Sequence, residues 1–136
     1  MKNIIQKALL APLFFVMSLT ACGANSTPAK GYAKFKEKIA NYYKSIGGTG
    51  KEISYNSCRY VWITGDGTME AGNLKNTVWY TINYTATFGS GSLTKNTCVE
   101  YSVNNDYVQE LSNGTAYSYA YDLVKDGSLK GTTGSL

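Results

Sequence analysis

Histidine is absent from all 136 residues. That removes the side chain whose charge most readily changes near neutral pH, and it leaves any serine or cysteine nucleophile without its usual base. The residues left for acid/base work are Asp66 and Glu70, two carboxylates in one glycine-containing stretch between Gly65 and Asn76. Such a pair could move protons on a substrate or hold calcium weakly. The same spacing is common in surface loops, and Asp66 between Gly65 and Gly67 suits a tight turn equally well. With no histidine and no closely spaced pair of cysteines, a bound metal or other cofactor is not expected. An Asp66/Glu70 hydrolase is the weakest of the readings developed below, and the chain is expected not to be an enzyme.

The other reactive side chains are three cysteines, Cys22, Cys58 and Cys98. Cys22 ends the stretch Leu19-Thr20-Ala21-Cys22, which follows an apolar run from Ala8 to Leu19 preceded by Lys2 and Lys7. The run is too short for a permanent membrane-spanning helix, and its basic flank is that of a removable export signal. The four residues resemble the lipobox of bacterial lipoproteins. The resemblance implies that residues 1–21 are a signal peptide and that Cys22 is the lipid-carrying (palmitate) N-terminus, with residues 22–29 as a polar tether. It covers the first 22 residues only, and the remainder carries no motif of a functional family. With Cys22 lipidated, Cys58 and Cys98 form an even pair in an exported chain, and a disulfide between them is expected. Closing that loop would stabilise a small domain by up to about 4 kcal/mol. Gly23, rather than aspartate, follows the lipidated position and favours the outer membrane facing the periplasm over inner-membrane retention, if the cell has two membranes. The tether would hold the domain within about 25 Å of that surface.

Charge adds one exclusion. The sequence has 13 basic and 9 acidic side chains; without Lys2 and Lys7 the excess falls to two, too small to argue for nucleic acid.

The elements that must carry any site follow from periodicity. Tyr32, Phe35, Ile39, Tyr42, Tyr43 and Ile46 recur at helical spacing, so Ala29 to Ile46 reads as an amphipathic helix capped by Thr27-Pro28 and stopped by Gly47-Gly48. Lys34, Lys36 and Lys38 flank the stripe as a solvated face. Beyond Gly50, alternating β-branched and aromatic residues predict strands at Cys58–Thr64, Thr77–Phe88, Thr94–Val103, Tyr107–Leu111 and Ala116–Val124, separated by glycine- and asparagine-rich turns. In the last of these, Tyr117, Tyr119 and Tyr121 share one face. Residues 125–136 read as a flexible tail and residues 30–124 as a single domain. The expected fold class is α+β, one N-terminal helix on a twisted antiparallel sheet of four to five strands, cystatin- or NTF2-like in outline.

Setting Phe88 opposite Leu93 puts Val78, Tyr80, Ile82, Val99 and Tyr101 on one face, with Cys98 on the other. If Val61 and Ile63 join the apolar face, then Cys58, Tyr60, Trp62 and Trp79 turn away from the helix. Tyr60, Trp62 and Trp79 would then form an exposed aromatic face beside the disulfide, suited to a sugar ring or a protein partner, or simply covering the disulfide and each other. The leading expectation is a membrane-tethered interaction module with an envelope protein partner. The alternative is a ligand-binding or inhibitory module for peptidoglycan fragments, a small ligand or a hydrolase.

Overall fold

The computed structural model describes residues 25–136; the signal-like run and Cys22 lie outside them. Ser26 opens helix α1 (Thr27–Ser45): its hydroxyl accepts from the Ala29 N–H at 3.2 Å, and Pro28 sits in the first turn, where its missing N–H costs nothing. Thr27 to Ala29 therefore belong to the helix, not to the tether. Gly47 ends the helix at a φ of 96°, a backbone shape that only glycine adopts cheaply.

The chain continues as β1 (Ile53–Asp66), a short 3₁₀ turn at Gly72–Leu74, β2 (Thr77–Phe88), β3 (Gly91–Ser102), β4 (Tyr107–Leu111), helix α2 (Thr115–Lys125) and β5 (Leu129–Ser135). The five strands form one sheet in the order β4-β3-β2-β1-β5, every neighbour antiparallel. The result is an α+β fold in which α1 packs on one face of a five-stranded antiparallel sheet. That core gathers Phe35, Tyr60, Tyr80, Ile82, Tyr84 and Val99, all buried.

Three larger expectations also fail, and each failure has a physical cause. Residues 115–125 are a helix. The tyrosines alternate as in a strand, but Tyr117, Ala120, Tyr121 and Val124 also recur at helical spacing, and burying that stripe against Val61, Ile63 and Trp79 decides the outcome. Tyr119, off the stripe, is exposed. The glycine-rich tail is ordered as β5. Gly131 lies so close to the Trp62 carbonyl that a Cβ would collide with it, so the composition that reads as flexible is what permits pairing. Because β5 lies on the opposite edge from β4, α2 must cross the second face between them, which departs from a single helix on a simple meander.

The third failure concerns β1. It pairs Cys58 with Ile82, Tyr60 with Tyr80 and Trp62 with Val78, so these residues face α1, whereas Val61 and Ile63 face α2. Cys98, opposite Thr81, also faces the α2 side. The expected Cys58–Cys98 disulfide is thereby excluded. The sheet lies between the two sulfurs, and both are buried free thiols. Burial pushes the Cys58 thiol up to about 12 and also raises that of Cys98.

The β2–β3 hairpin keeps the expected faces but not the expected register. Phe88 pairs with Gly91 and Ala86 with Leu93, leaving a two-residue loop, Gly89-Ser90. Gly89, at a φ of 62°, supplies the first position of a tight hairpin turn that matches strand twist.

Candidate functional site

The anticipated aromatic face does not exist as a surface. Trp79 is 5% exposed and lies under α2; Tyr60 is 2% exposed and lies under α1. Trp62 is partly buried beside the α1-side core, its indole N–H buried without a hydrogen-bond partner. The structure thus divides the three between two cores. The carboxylates are no more promising: Asp66 accepts from the Ala71 N–H at 2.8 Å and closes its own loop, while Glu70 is exposed. Among the described residues no three histidine, cysteine, aspartate or glutamate side chains come together as a metal site, and no helix is long and apolar enough to cross a membrane.

A groove of about 580 Å³ runs between α1 and the β3–β4 turn. A structural ion pair occupies it. Lys34 lies 3.3 Å from Asp106, which also accepts a 2.7 Å bond from the Tyr101 hydroxyl. That hydroxyl bond, followed by Lys34, holds the Asp106 carboxyl below its usual range. The arrangement ties the turn to the helix.

A different region combines exposed apolar groups with unused backbone. Helix α1 begins over Tyr80, whose hydroxyl donates to the Pro28 carbonyl at 2.7 Å, and ends beside the β2–β3 hairpin, where Tyr43 meets Phe88 at 5.6 Å between ring centres. Around this far end Leu93 is 61% exposed, Tyr42 56%, Ile46 44% and Phe88 41%. The helix stripe runs past the edge of the core, so its last turn has apolar side chains with nothing to cover them. A cleft of about 390 Å³ opens there between helix and sheet, with Ile39, Tyr42, Tyr84 and Leu93 in its lining and Lys38 and Lys95 among its polar groups.

The sheet also narrows at this end. β4 pairs with β3 only over Cys98–Ser102, and β5 pairs with β1 only from Arg59 onward. Residues 91–97 of β3 therefore form an open edge directly beside the cleft. β1 has an open edge as well, but a bulge at Asn56 interrupts it, and the Asn56 amide is tied to Asn83 and Thr85. Bulges of this kind spoil an edge as a template for pairing. The β3 edge has no such interruption: its register with β2 is continuous from Gly91 to Ser102.

On the face away from α1, the same end presents an uncharged row. Asn83 donates to Asn96 at 2.7 Å, and the hydroxyls of Thr85 and Thr94 lie 2.9 Å apart.

Sequence reasoning set Phe88 opposite Leu93 at the hairpin and placed Tyr42 and Ile46 in the helix, without seeing that the end of the helix and the hairpin meet. The available signal was the length of the helix stripe, which outruns the surface beneath it. No family model, curated protein or solved structure matches the chain.

Proposed function

We propose that this chain is a non-catalytic interaction module of the bacterial envelope, held to a membrane by lipid on Cys22, with an envelope protein as its partner. The supporting observation is the gathering of Tyr42, Ile46, Phe88 and Leu93 at the end of the domain opposite the start of α1. The chain from Cys22 enters at Ser26, and a 19-residue helix separates that point from the apolar end, about 28 Å at 1.5 Å per residue. A lipid anchor would leave this end pointing away from its own membrane, where a partner can reach it. Exposed aromatic and aliphatic groups around a cleft are the usual anchors of such contacts.

The test uses the full-length lipoprotein in its native envelope, carrying a photoreactive benzoylphenylalanine at position 42 or, as control, at position 73 in the loop at the opposite end. A discrete protein adduct from position 42 and none from 73 is the expected result. Equal labelling from both, or none from 42, would overturn the reading. Loss of palmitate labelling in Cys22→Ser tests the anchor separately.

A second reading draws on the Asn83, Thr85, Thr94 and Asn96 row. An uncharged surface of hydroxyls and amides suits a neutral sugar such as a peptidoglycan fragment. Titration calorimetry with muropeptides tests it, with Asn83→Ala as the variant expected to lose binding.

A further inference from the structure

We infer that the partner engages this end by strand addition: an extended, acidic segment pairs with β3 over residues 92–96 and extends the sheet beyond its open edge. The inference rests on the interaction-module reading and specifies its mode and its partner chemistry.

Backbone parity gives the first support. In a hairpin with a two-residue loop the flanking residues, here Phe88 and Gly91, exchange their backbone bonds. Odd-numbered residues of β3 then bond to β2, and even-numbered ones point outward. Over Cys98, Glu100 and Ser102 the outward groups meet Leu111, Gln109 and Tyr107 of β4. Val108, of the opposite parity, turns its carbonyl outward to accept from Lys38 at 3.2 Å, as this phase requires. The same parity leaves Ser92, Thr94 and Asn96 presenting N–H and C=O groups where β4 has ended and the chain has turned toward α2. An added strand satisfies these groups by the same ladder that holds the rest of the sheet.

The space beside the edge is shaped for alternating side chains. On the α1 side lies the 390 Å³ cleft beside Leu93 and Lys95. Along the edge itself a second cleft, about 430 Å³, lies where β4 stops, with Asn96, Leu111 and Ser112 toward the other face and Thr97 and Glu110 toward the first. Successive residues of an added strand point to opposite faces, so one set enters the apolar cleft and the other meets the polar notch.

Charge selects the occupant. Lys38, Lys95 and Glu110 border the apolar cleft, and although Glu110 lies 3.4 Å from Lys95, the two lysines leave one positive charge in excess. A second copy of this chain is the wrong partner. Antiparallel pairing of two such edges sets Lys95 opposite or diagonal to its own copy on one face, where like charges repel. The same lysine that blocks self-pairing attracts a carboxylate. Apolar residues for the cleft with Asp or Glu beside them are therefore the chemistry this edge accepts.

The experiment uses the full-length lipoprotein with the photoreactive group at position 42 and compares edge variants in the native envelope. Thr94→Pro removes an outward N–H and spares the bonds to β2, a substitution that edge strands tolerate. Thr94→Val is its control for loss of the Thr85 contact. The Thr94→Pro variant should lower adduct yield about tenfold or more, since both the donor and the geometry of the added ladder are lost. Thr94→Val should stay within about twofold, and Lys95→Glu should lower yield about fivefold, with Lys95→Arg retaining it. Mass-spectrometric mapping should place the adduct in a partner segment richer in Asp and Glu than in Lys and Arg. Should Thr94→Pro fail to fold, judged by circular dichroism, the Lys95 pair and the mapped segment decide the matter. Capture that persists unchanged in Thr94→Pro and Lys95→Glu overturns strand addition but leaves the interaction module standing. An adduct between two copies of this chain that depends on Thr94 overturns the acidic partner. Absence of any adduct from the parent protein overturns the module itself.

Discussion

The two ends of the sheet are built differently. Near the start of α1 the sheet is five strands wide, with α1 on one face and α2 on the other. Toward the β2–β3 hairpin it is three strands wide, with α1 on one face and an uncharged polar row on the other. The first end fills both faces with buried side chains. The second leaves an edge, a cleft and four exposed apolar groups. On the proposed function, stability and recognition are separated along the strands, one end holding the fold while the other presents unpaired groups.

The sharpest way to break this comparison is to truncate one residue at each end. Trp79→Ala should cost about 3–5 kcal/mol by emptying the core beneath α2. Leu93→Ala, at an exposed site, should stay within about 0.5 kcal/mol. Urea unfolding of the two variants checks this, and equal costs would mean that the ends share the burden.

Next in size is the closure of the β5 edge. Gly131→Ala should destabilise by about 1–3 kcal/mol, because the new methyl meets the Trp62 carbonyl and the Val124 side chain, 2.9 Å from the added carbon. Hydrogen exchange should quicken along β5 and its β1 partners while the β2–β3 hairpin keeps its protection; uniform quickening would instead indicate a single cooperative unit.

The effects of pH differ in sign between the ends, and the smallest of all is the acid effect at the hairpin end. Burial, with the Asp106 bond adding to it, pushes the Tyr101 hydroxyl up to about 12, and burial does the same to the Cys58 thiol. For groups raised in the folded state, the stabilising contribution is complete below the unfolded values, about 9 to 10, and is lost as pH rises toward 12. At the hairpin end, the Thr49 N–H leads the bonds that hold the Glu52 carboxyl below its ordinary range. That contribution is present above the unfolded value near 4 and fades as pH falls below it. Circular dichroism against pH should therefore show alkaline unfolding of the whole domain but only a slight acid effect from Glu52. Neither thiol should react with Ellman's reagent until the alkaline transition, and prompt reaction of Cys58 at pH 8 would contradict its placement in the core.

Much of this was legible in the residues. Helix α1 and the first four strands have clear periods and punctuation, and β2 and β3 keep one apolar face because their far halves carry threonine and asparagine on the other. β1 was not legible in the same way. Cys58, Tyr60 and Trp62 are as apolar as Val61 and Ile63, because a strand between two helices is buried on both faces and alternation no longer marks a direction. The candidate site was hidden for a related reason: Leu93 and Tyr42 look like ordinary members of a hairpin and a helix until the place where β4 stops is known.

By itself, the sequence determined the local elements that rest on neighbours in the chain: a helix capped near Thr27-Pro28, one residue later than the Ser26 cap of the structure, tight turns at glycine, and strands of β-branched and aromatic residues. Tertiary structure decided what depends on distant surfaces. It made residues 115–125 helical by offering Val61, Ile63 and Trp79 a cover, ordered the glycine-rich end as β5 by close approach to β1, and placed Cys58 and Cys98 on opposite sides of the sheet. Periodicity records which residues can share a face, but the face that wins is set by which burial the whole chain can complete.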